Sequence, residues 1–245
     1  DEWGMHDYTR EGAQGCTSFN EIIAKGYGEP QSAKEFACLA QWVNYDGHRS
    51  LFESRSQNRK GLLMWMSHSC WPSMVWQTYD YYFEPTAAYF AIKKASEPLH
   101  IQWNPATDEV EVVNYSAGTH KGLTAKVQVL NMDASVAWEK EATVDSNEDT
   151  TDKCIKLEFP ENLSKVHFIK MTLVEDGKVI SDNFYHRSLE ENNYQDLQKL
   201  PKVALQSATT VDKNADGTWS AVSVIENKTS TPALMIRLNV VGGKD

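Results

Sequence analysis

Three residues at the end of a short apolar run carry the clearest chemical signal: Trp65, His68 and Trp71, following Leu62 to Met66. An indole face accepts the C–H side of a sugar ring flat against its π cloud and leaves the hydroxyls free to hydrogen-bond. The same two indoles would also serve as ordinary core aromatics, and spacing alone leaves both roles open. Carboxylates come next. Glu2, Asp7, Glu11, Asp80 and Glu84 share the aromatic-rich region, and any two could pair for acid/base work. None follows an apolar strand that would fix it, so they read as solvated surface charge. No Gly-x-Ser-x-Gly, phosphate loop, dinucleotide fingerprint or His-Glu-x-x-His is present. Cys16, Cys38, Cys70 and Cys154 lack both the CxxC spacing and the companion histidines of a zinc site, so they read as four separate thiols. No metal and no cofactor is expected.

Residues that act in concert need elements to hold them. Leu62 to Met66 has the length and continuous apolarity of a strand buried on both faces of a parallel sheet, and Ser67 to Pro72 breaks it into a loop. Upstream, Ser32-Ala33-Lys34-Glu35 has the capping-box pattern. Phe36, Leu39, Ala40, Val43, Gly47 and Leu51 then recur on one face, predicting a helix from about 33 to 57. Residues 1–31 read as loop with at most one short helix, and a second helix is predicted from Pro85-Thr86 to about Ala95. Helix, buried strand, loop and helix make an α/β layout too short to close a sheet.

From residue 98 the period switches to two. Leu99 to Trp103, Glu109 to Val113, Thr124 to Leu130, Lys153 to Phe159, Val166 to Val174 and Val179 to Tyr185 are candidate strands. Asp176-Gly177 between the last two is a type I′ hairpin signal. Strands so spaced predict an antiparallel sandwich of the immunoglobulin type. Val110 to Asn114 followed by Leu123, Ala125, Val127 and Val129 is echoed by Ser223 to Asn227 followed by Leu234, Ile236, Leu238 and Val240. That echo predicts a second sandwich beginning near 203, with fewer residues than the roughly 100 a complete one needs. The fold class expected is therefore mainly β: immunoglobulin-like sandwiches preceded by an α/β remnant of a barrel. Its segments are 1–96, 97–200 and 201–245, with both ends reading as cut.

Charge narrows the partners. Lys and Arg number 24 against 34 Asp and Glu, a formal charge of −10. That balance argues against nucleic acid and anionic membrane surfaces, which need clustered positive charge. Apolar runs such as Leu62 to Met66 fall far short of the ~20 residues of a membrane-spanning helix. Seventeen of the 26 aromatic residues lie in the first 100 positions, so two different architectures are joined. There is no initiating methionine and no signal peptide, so a leader was removed or the chain is a piece of something longer.

Gly61-Leu62-Leu63-Met64-Trp65-Met66-Ser67-His68-Ser69-Cys70-Trp71-Pro72, with Trp76, Tyr79-Asp80-Tyr81-Tyr82, Lys93-Lys94 and Glu97-Pro98-Leu99-His100, resembles the last barrel strand of glycoside hydrolase family 2 and its continuation into the next sandwich. Within that family it is similar to the β-mannosidase and exo-β-D-glucosaminidase branch, whose pattern there is G-x-x-x-W-x-x-N-D/N-x-W-P. The resemblance covers about 35–100 well and the remainder loosely. It implies a barrel flanked by sandwiches and a retaining mechanism with two glutamates about 5 Å apart. Those glutamates would sit on the fourth and seventh barrel strands, upstream of this chain. Glu2 lacks the Ser-Glu context and is not assigned, so no catalytic residue is expected here.

The resemblance further implies that Trp65 forms the floor of the −1 sugar subsite and that Trp71 lines or buttresses it. His68 and Ser69 stand where the family has Asn and Asp or Asn, facing sugar hydroxyls, so mannoside, glucosaminide and galactoside all stay open. The implied parent is a retaining exo-β-glycosidase of β-linked oligosaccharides or glycosides, periplasmic or extracellular. The chain alone would be inactive and prone to self-association through its ends. The alternative is a non-catalytic carbohydrate-binding or cell-surface β-sandwich module. A binding module would not carry a lone buried parallel strand between two helices, and a surface sandwich gives Trp65 to Pro72 no reason to follow one.

Overall fold

The computed structural model describes residues 6, 16–54, 62–73 and 76–238. The described residues are mainly β, with three helices described in their first part. Helix α1 spans Cys16–Tyr27, α2 Ala33–Glu53 and α3 Ala87–Ala95. Ser32 caps α2 by accepting from the Glu35 amide at 3.2 Å, while the Glu35 carboxylate reaches back to the Gln31 amide at 2.8 Å. The expected capping box is therefore reciprocal, but one residue longer on its return arm. The helix ends at Glu53, with Ser54 as its cap and the Ser54 hydroxyl donating to the Leu51 carbonyl; the expected continuation over 55–57 lies outside the described residues.

Seven strands form the sandwich: β1 Leu99–Asn104, β2 Glu109–Asn114, β3 His120–Asn131, β4 Val136–Ser146, β5 Thr150–Lys156, β6 Val166–Glu175 and β7 Lys178–Ser188. They make two antiparallel sheets, β1-β2-β5 and β4-β3-β6-β7. Leu123, Ala125, Val127 and Val129 alternate into the core from β3, meeting Ile169, Met171 and Leu173 from β6 and Ile101, Val110 and Val112 across the gap. Each large aliphatic chain so enclosed contributes about 1.5–3 kcal/mol. Asp176 and Gly177 take φ of 48° and 77°, the left-handed pair of a type I′ turn. Strand β4 was not among the expected strands.

Where β1 and β7 form the open seam between the sheets, side chains of β7 satisfy the backbone of β1. The Ile101 amide donates to Ser181 Oγ at 3.1 Å, Asn183 Nδ2 donates to the Ile101 carbonyl at 3.0 Å, and the Trp103 amide donates to the Tyr185 hydroxyl at 3.2 Å. Buried backbone groups of an edge strand are thereby paired without a ladder.

Beyond the sandwich, β8 Gln206–Lys213 and β9 Trp219–Glu226 pair as a hairpin whose faces are largely exposed. The echo of an Asn-led turn is real: Asn114 Nδ2 donates to the Gly118 carbonyl and Asn227 Nδ2 to that of Thr231, both at 2.8 Å. The strand expected over 234–240 is corrected over 234–238, which are irregular; residues 239 and 240 lie outside the described residues. The buried strand at Leu62 to Met66 is corrected too. These residues are irregular, and Leu63 is almost fully exposed. Among the described residues no parallel neighbour takes up their backbone, and a strand of a parallel sheet exists only by such pairing. The nearest approach to it is one parallel bridge, His68 to Tyr79.

Candidate functional site

The segment after Met66 folds back on itself through backbone and side-chain bonds. The Tyr79 amide and Thr78 hydroxyl both donate to the Ser67 carbonyl at 3.0 Å, and Trp76 Nε1 donates to the Trp65 carbonyl at 3.0 Å. The Thr86 hydroxyl closes the loop onto the Gln77 carbonyl at 2.8 Å, just before α3. The result is a small cross-braced platform built on polar bonds, with its aromatic residues left on the surface. Trp65 is 76% exposed, Trp71 44%, Tyr82 63% and Phe83 72%.

Each of the three expected site residues has a distinct place. Trp65 presents an open indole with its backbone pinned by Trp76. His68 is half-buried, its ring stacked on Phe83 at 4.3 Å and 16°, and its Nε2 is buried without a hydrogen-bond partner among the described residues. Trp71 stacks on His6 at 5.2 Å, and His6 Nδ1 lies 2.5 Å from the Pro72 carbonyl oxygen. Ser69 is buried, with its hydroxyl 3.3 Å from Gln77 Oε1. Met66, two residues before His68, and Phe83, its stacking partner, take φ of 60° and 62°. Left-handed backbone at bulky residues is uncommon, and such strain collects at functional sites.

The carboxylates of this region are committed to structure. Asp80 Oδ1 accepts from the Tyr82 amide at 2.8 Å and the Glu84 amide at 2.9 Å, an Asx turn that shapes the aromatic hairpin. Glu84 Oε2 receives Arg237 NH2 at 3.1 Å. Glu2, Asp7 and Glu11 lie outside the described residues. Cys38, Cys70 and Cys154 are free thiols, and burial pushes the Cys154 thiol up to about 12. Among the described residues no cluster of three His, Cys, Asp or Glu could hold a metal, and no helix is long and apolar enough to cross a membrane.

The densest group of titratable residues lies elsewhere, where α2 meets the β1–β7 seam, and sequence reasoning missed it. Glu53 accepts from His100 Nε2 at 3.0 Å, Asn183 Nδ2 at 2.9 Å and the Tyr185 hydroxyl at 2.9 Å. The other His100 nitrogen faces Glu97 at 3.1 Å. Burial opposes a charge on His100, but the bonds to Glu53 and Glu97 outweigh it and hold the imidazole above its ordinary 6.5. Burial likewise opposes ionisation of Glu97, and bonds from His100, Lys94 and Ser181 overcome it, bringing that carboxyl down to about 2. One turn back, Arg49 donates to Asn183 and Asp46 and lies 4.0 Å over the Tyr185 ring. His186 is enclosed by Tyr27, Trp42 and Tyr194, and burial pushes its pKa down despite Asp46 at 3.1 Å. A cleft of about 690 Å³ opens beside this joint. Its charged walls are already paired with one another, which suits an interlock rather than a reaction centre.

Two domain families match the chain. The Ig-fold domain of exo-β-D-glucosaminidase matches residues 183–245, and the mannosidase Ig/CBM-like domain matches 108–188. Among curated relatives, the exo-β-D-glucosaminidase of Amycolatopsis orientalis is 30% identical over 91% of this chain and 24% of its own length. That of Hypocrea jecorina is 27% identical over 92% and 29%. The mannosylglycoprotein endo-β-mannosidase of Lilium longiflorum is 26% identical over 88% and 23%. The chain therefore spans less than a third of the length of these relatives. The crystal structure of the Amycolatopsis orientalis exo-chitosanase superposes with a TM-score of 0.82 at 26% identity, covering 87% of this chain and 28% of that one. A single-substitution variant of that enzyme is also known in complex with PNP-β-D-glucosamine.

Proposed function

Because the chain carries immunoglobulin-fold domains of glycoside hydrolase family 2, of the exo-β-D-glucosaminidase and mannosidase kind, we propose that it is the C-terminal portion of a retaining exo-β-glycosidase. The observation that carries the reading is Trp65: an indole left open on a platform whose polar bonds fix its backbone. In this reading Trp65 forms the floor on which the terminal sugar stacks, Trp71 lines the same pocket, and His68 meets the sugar's hydroxyls. Residues 1–96 close the end of a barrel, 97–200 form one sandwich and 201–245 begin another. The two glutamates of the retaining mechanism belong to upstream strands, so the 245-residue chain alone does not hydrolyse glycosides. The substrate class in this reading is a β-glucosaminide or a β-mannoside, the two kinds of enzyme to which the chain is about equally similar over about nine-tenths of its length. The open hairpin exposes Val211 and Trp219 on one face and Val222 and Val224 on the other, apolar side chains through which a second copy would associate.

The test is kinetic, on the full polypeptide that carries this chain. Trp65→Ala should lower kcat/KM on an aryl β-glucosaminide by about 10–100-fold, in line with the loss of one aromatic stacking contact. Trp103→Ala, on β1 and away from the platform, should leave it within about two-fold at matched folded fraction. His68→Asn should change the ratio of glucosaminide to mannoside turnover. Equal losses at Trp65 and Trp103 refute the subsite assignment. Turnover by the 245-residue chain alone would refute the absence of its own catalytic pair.

A further inference from the structure

We propose that Arg237 is a positioning residue for the aromatic turn at this sugar site, reaching it from the far end of the chain through Glu84. The inference rests on the reading of Trp65, His68 and Trp71 as a sugar platform. Its geometry stands without that reading.

The turn from Tyr79 to Pro85 has little packing to hold it. Tyr82 and Phe83 are largely exposed, and Phe83 is in left-handed backbone that a bulky side chain disfavours. What fixes it is a ring of polar bonds: Asp80 amide to Glu84 carbonyl at 3.0 Å, Phe83 amide to Asp80 carbonyl at 3.1 Å, and the two amides on Asp80 Oδ1. Glu84 closes that ring, and its carboxylate is held at 3.1 Å by Arg237 NH2, 153 residues later. Phe83 in turn lies flat on His68. A displacement of Glu84 therefore moves Phe83, and with it the ring that sits three residues from Trp65.

Arg237 is brought there by a seated segment. After β9, Asn227 ties the chain through the Thr229 amide at 3.0 Å and the Thr231 carbonyl at 2.8 Å. Residues 229–232 then lie beside Phe168 and Phe184, which stack at 5.2 Å, and line with them a cavity of about 520 Å³ against β6 and β7. Thr231 to Leu234 are half-buried on leaving this contact. The segment thus runs beside the sandwich, braced by its own Asn227 bonds, before Arg237 reaches Glu84. The second immunoglobulin-like unit would then help to shape a site borne by the first part of the chain.

The pair is partly exposed, so its effect should be small and specific. In the 245-residue chain, Arg237→Ala should speed amide exchange at Tyr82 and Glu84 about two- to five-fold. Lys228→Ala, which touches only the Glu226 pair, should not change it. In the full polypeptide, Arg237→Ala and Glu84→Gln should each raise KM for an aryl β-glucosaminide by about two- to five-fold with kcat within two-fold. Arg237→Lys should recover part of the loss, and the exchanged pair Arg237→Glu with Glu84→Arg most of it. Unchanged exchange in Arg237→Ala, or an exchanged pair no better than either single variant, overturns the proposal. Faster exchange with unchanged KM also overturns it, since the turn would then move without consequence for the site. If the unmodified polypeptide hydrolyses no β-glycoside, the functional reading fails, and the exchange arm still decides whether Arg237 positions the turn.

Discussion

Replacing Glu53 by Gln tests whether α2 is bolted to the sandwich by charge. Glu53 is 6% exposed, and its carboxylate accepts three hydrogen bonds, from His100, Asn183 and Tyr185. Gln keeps the shape but removes the negative charge that faces the His100 ring, and it turns an NH2 group toward groups that are themselves donors. Removing one member of a buried pair costs about 3–5 kcal/mol when the other is left uncompensated. His100 retains Glu97 at 3.1 Å, which places Glu53→Gln at the low end, about 3 kcal/mol. The comparison is Asp182→Asn. Asp182 also makes a 2.7 Å ion pair, with Lys94, but its side chain is 65% exposed and Lys94 keeps Glu97, so the loss should be about 0–1 kcal/mol. Urea titrations of the 245-residue chain measure both, read as shifts in midpoint at unchanged slope. A Glu53→Gln loss no larger than that of Asp182→Asn would refute the interlock. So would a double-mutant cycle of Glu53 with His100 whose coupling is near zero.

Two further outcomes arise from the same joint. His100, held above 6.5, gives stability that is complete below that pH and fades as the pH rises through its folded value. His186, held below 6.5, and Glu97, held near 2, give stability that is lost on acidification below about pH 6.5 and pH 4.5 respectively. Midpoint temperatures between pH 4 and 9 should thus peak near pH 6–7. His100→Gln should flatten the alkaline limb, and an unchanged alkaline limb would show that His100 carries no linked proton. Limited proteolysis should cut first in the exposed β8–β9 hairpin and leave the sandwich with α2 still bound to it. Light scattering of the intact chain should report more than a monomer, and a strictly monomeric chain would rule out association through the hairpin.

Most of the sandwich was legible because its strands alternate cleanly. Leu123, Ala125, Val127 and Val129 point one way, with Thr124, Lys126 and Gln128 between them, and that pattern admits one register. Strand β4 was missed because its middle, Glu139-Lys140-Glu141, reads as a polar turn; Ala137, Trp138, Ala142 and Val144 around it were the available signal. The β8–β9 hairpin carried its own mark, Asp216-Gly217, with Gly217 at φ 88°. Leu62 to Met66 misled for a different reason. Continuous apolarity says that a segment seeks cover, but only hydrogen-bonding neighbours make it a strand.

Helix α2 shows why the platform was easier to find than the interlock. Periodicity picked out Phe36, Leu39, Val43, Gly47 and Leu51, yet Gly47 and Leu51 are exposed. The face that meets the sandwich is Trp42, Asp46, Arg49 and Glu53, at spacings of four, three and four, and three of these four carry charge. A hydrophobicity pattern assigns such a face to solvent, because it scores each residue against water rather than against its partner. The partners are Asn183, Tyr185 and His186 on β7 and His100 on β1, brought to α2 only by the closed sandwich. Aromatic residues clustered in a loop announce themselves by type. Paired charges announce themselves only in three dimensions, and here they are what holds the helical part, and hence the platform next to it in the chain, in a fixed place on the β-sandwich.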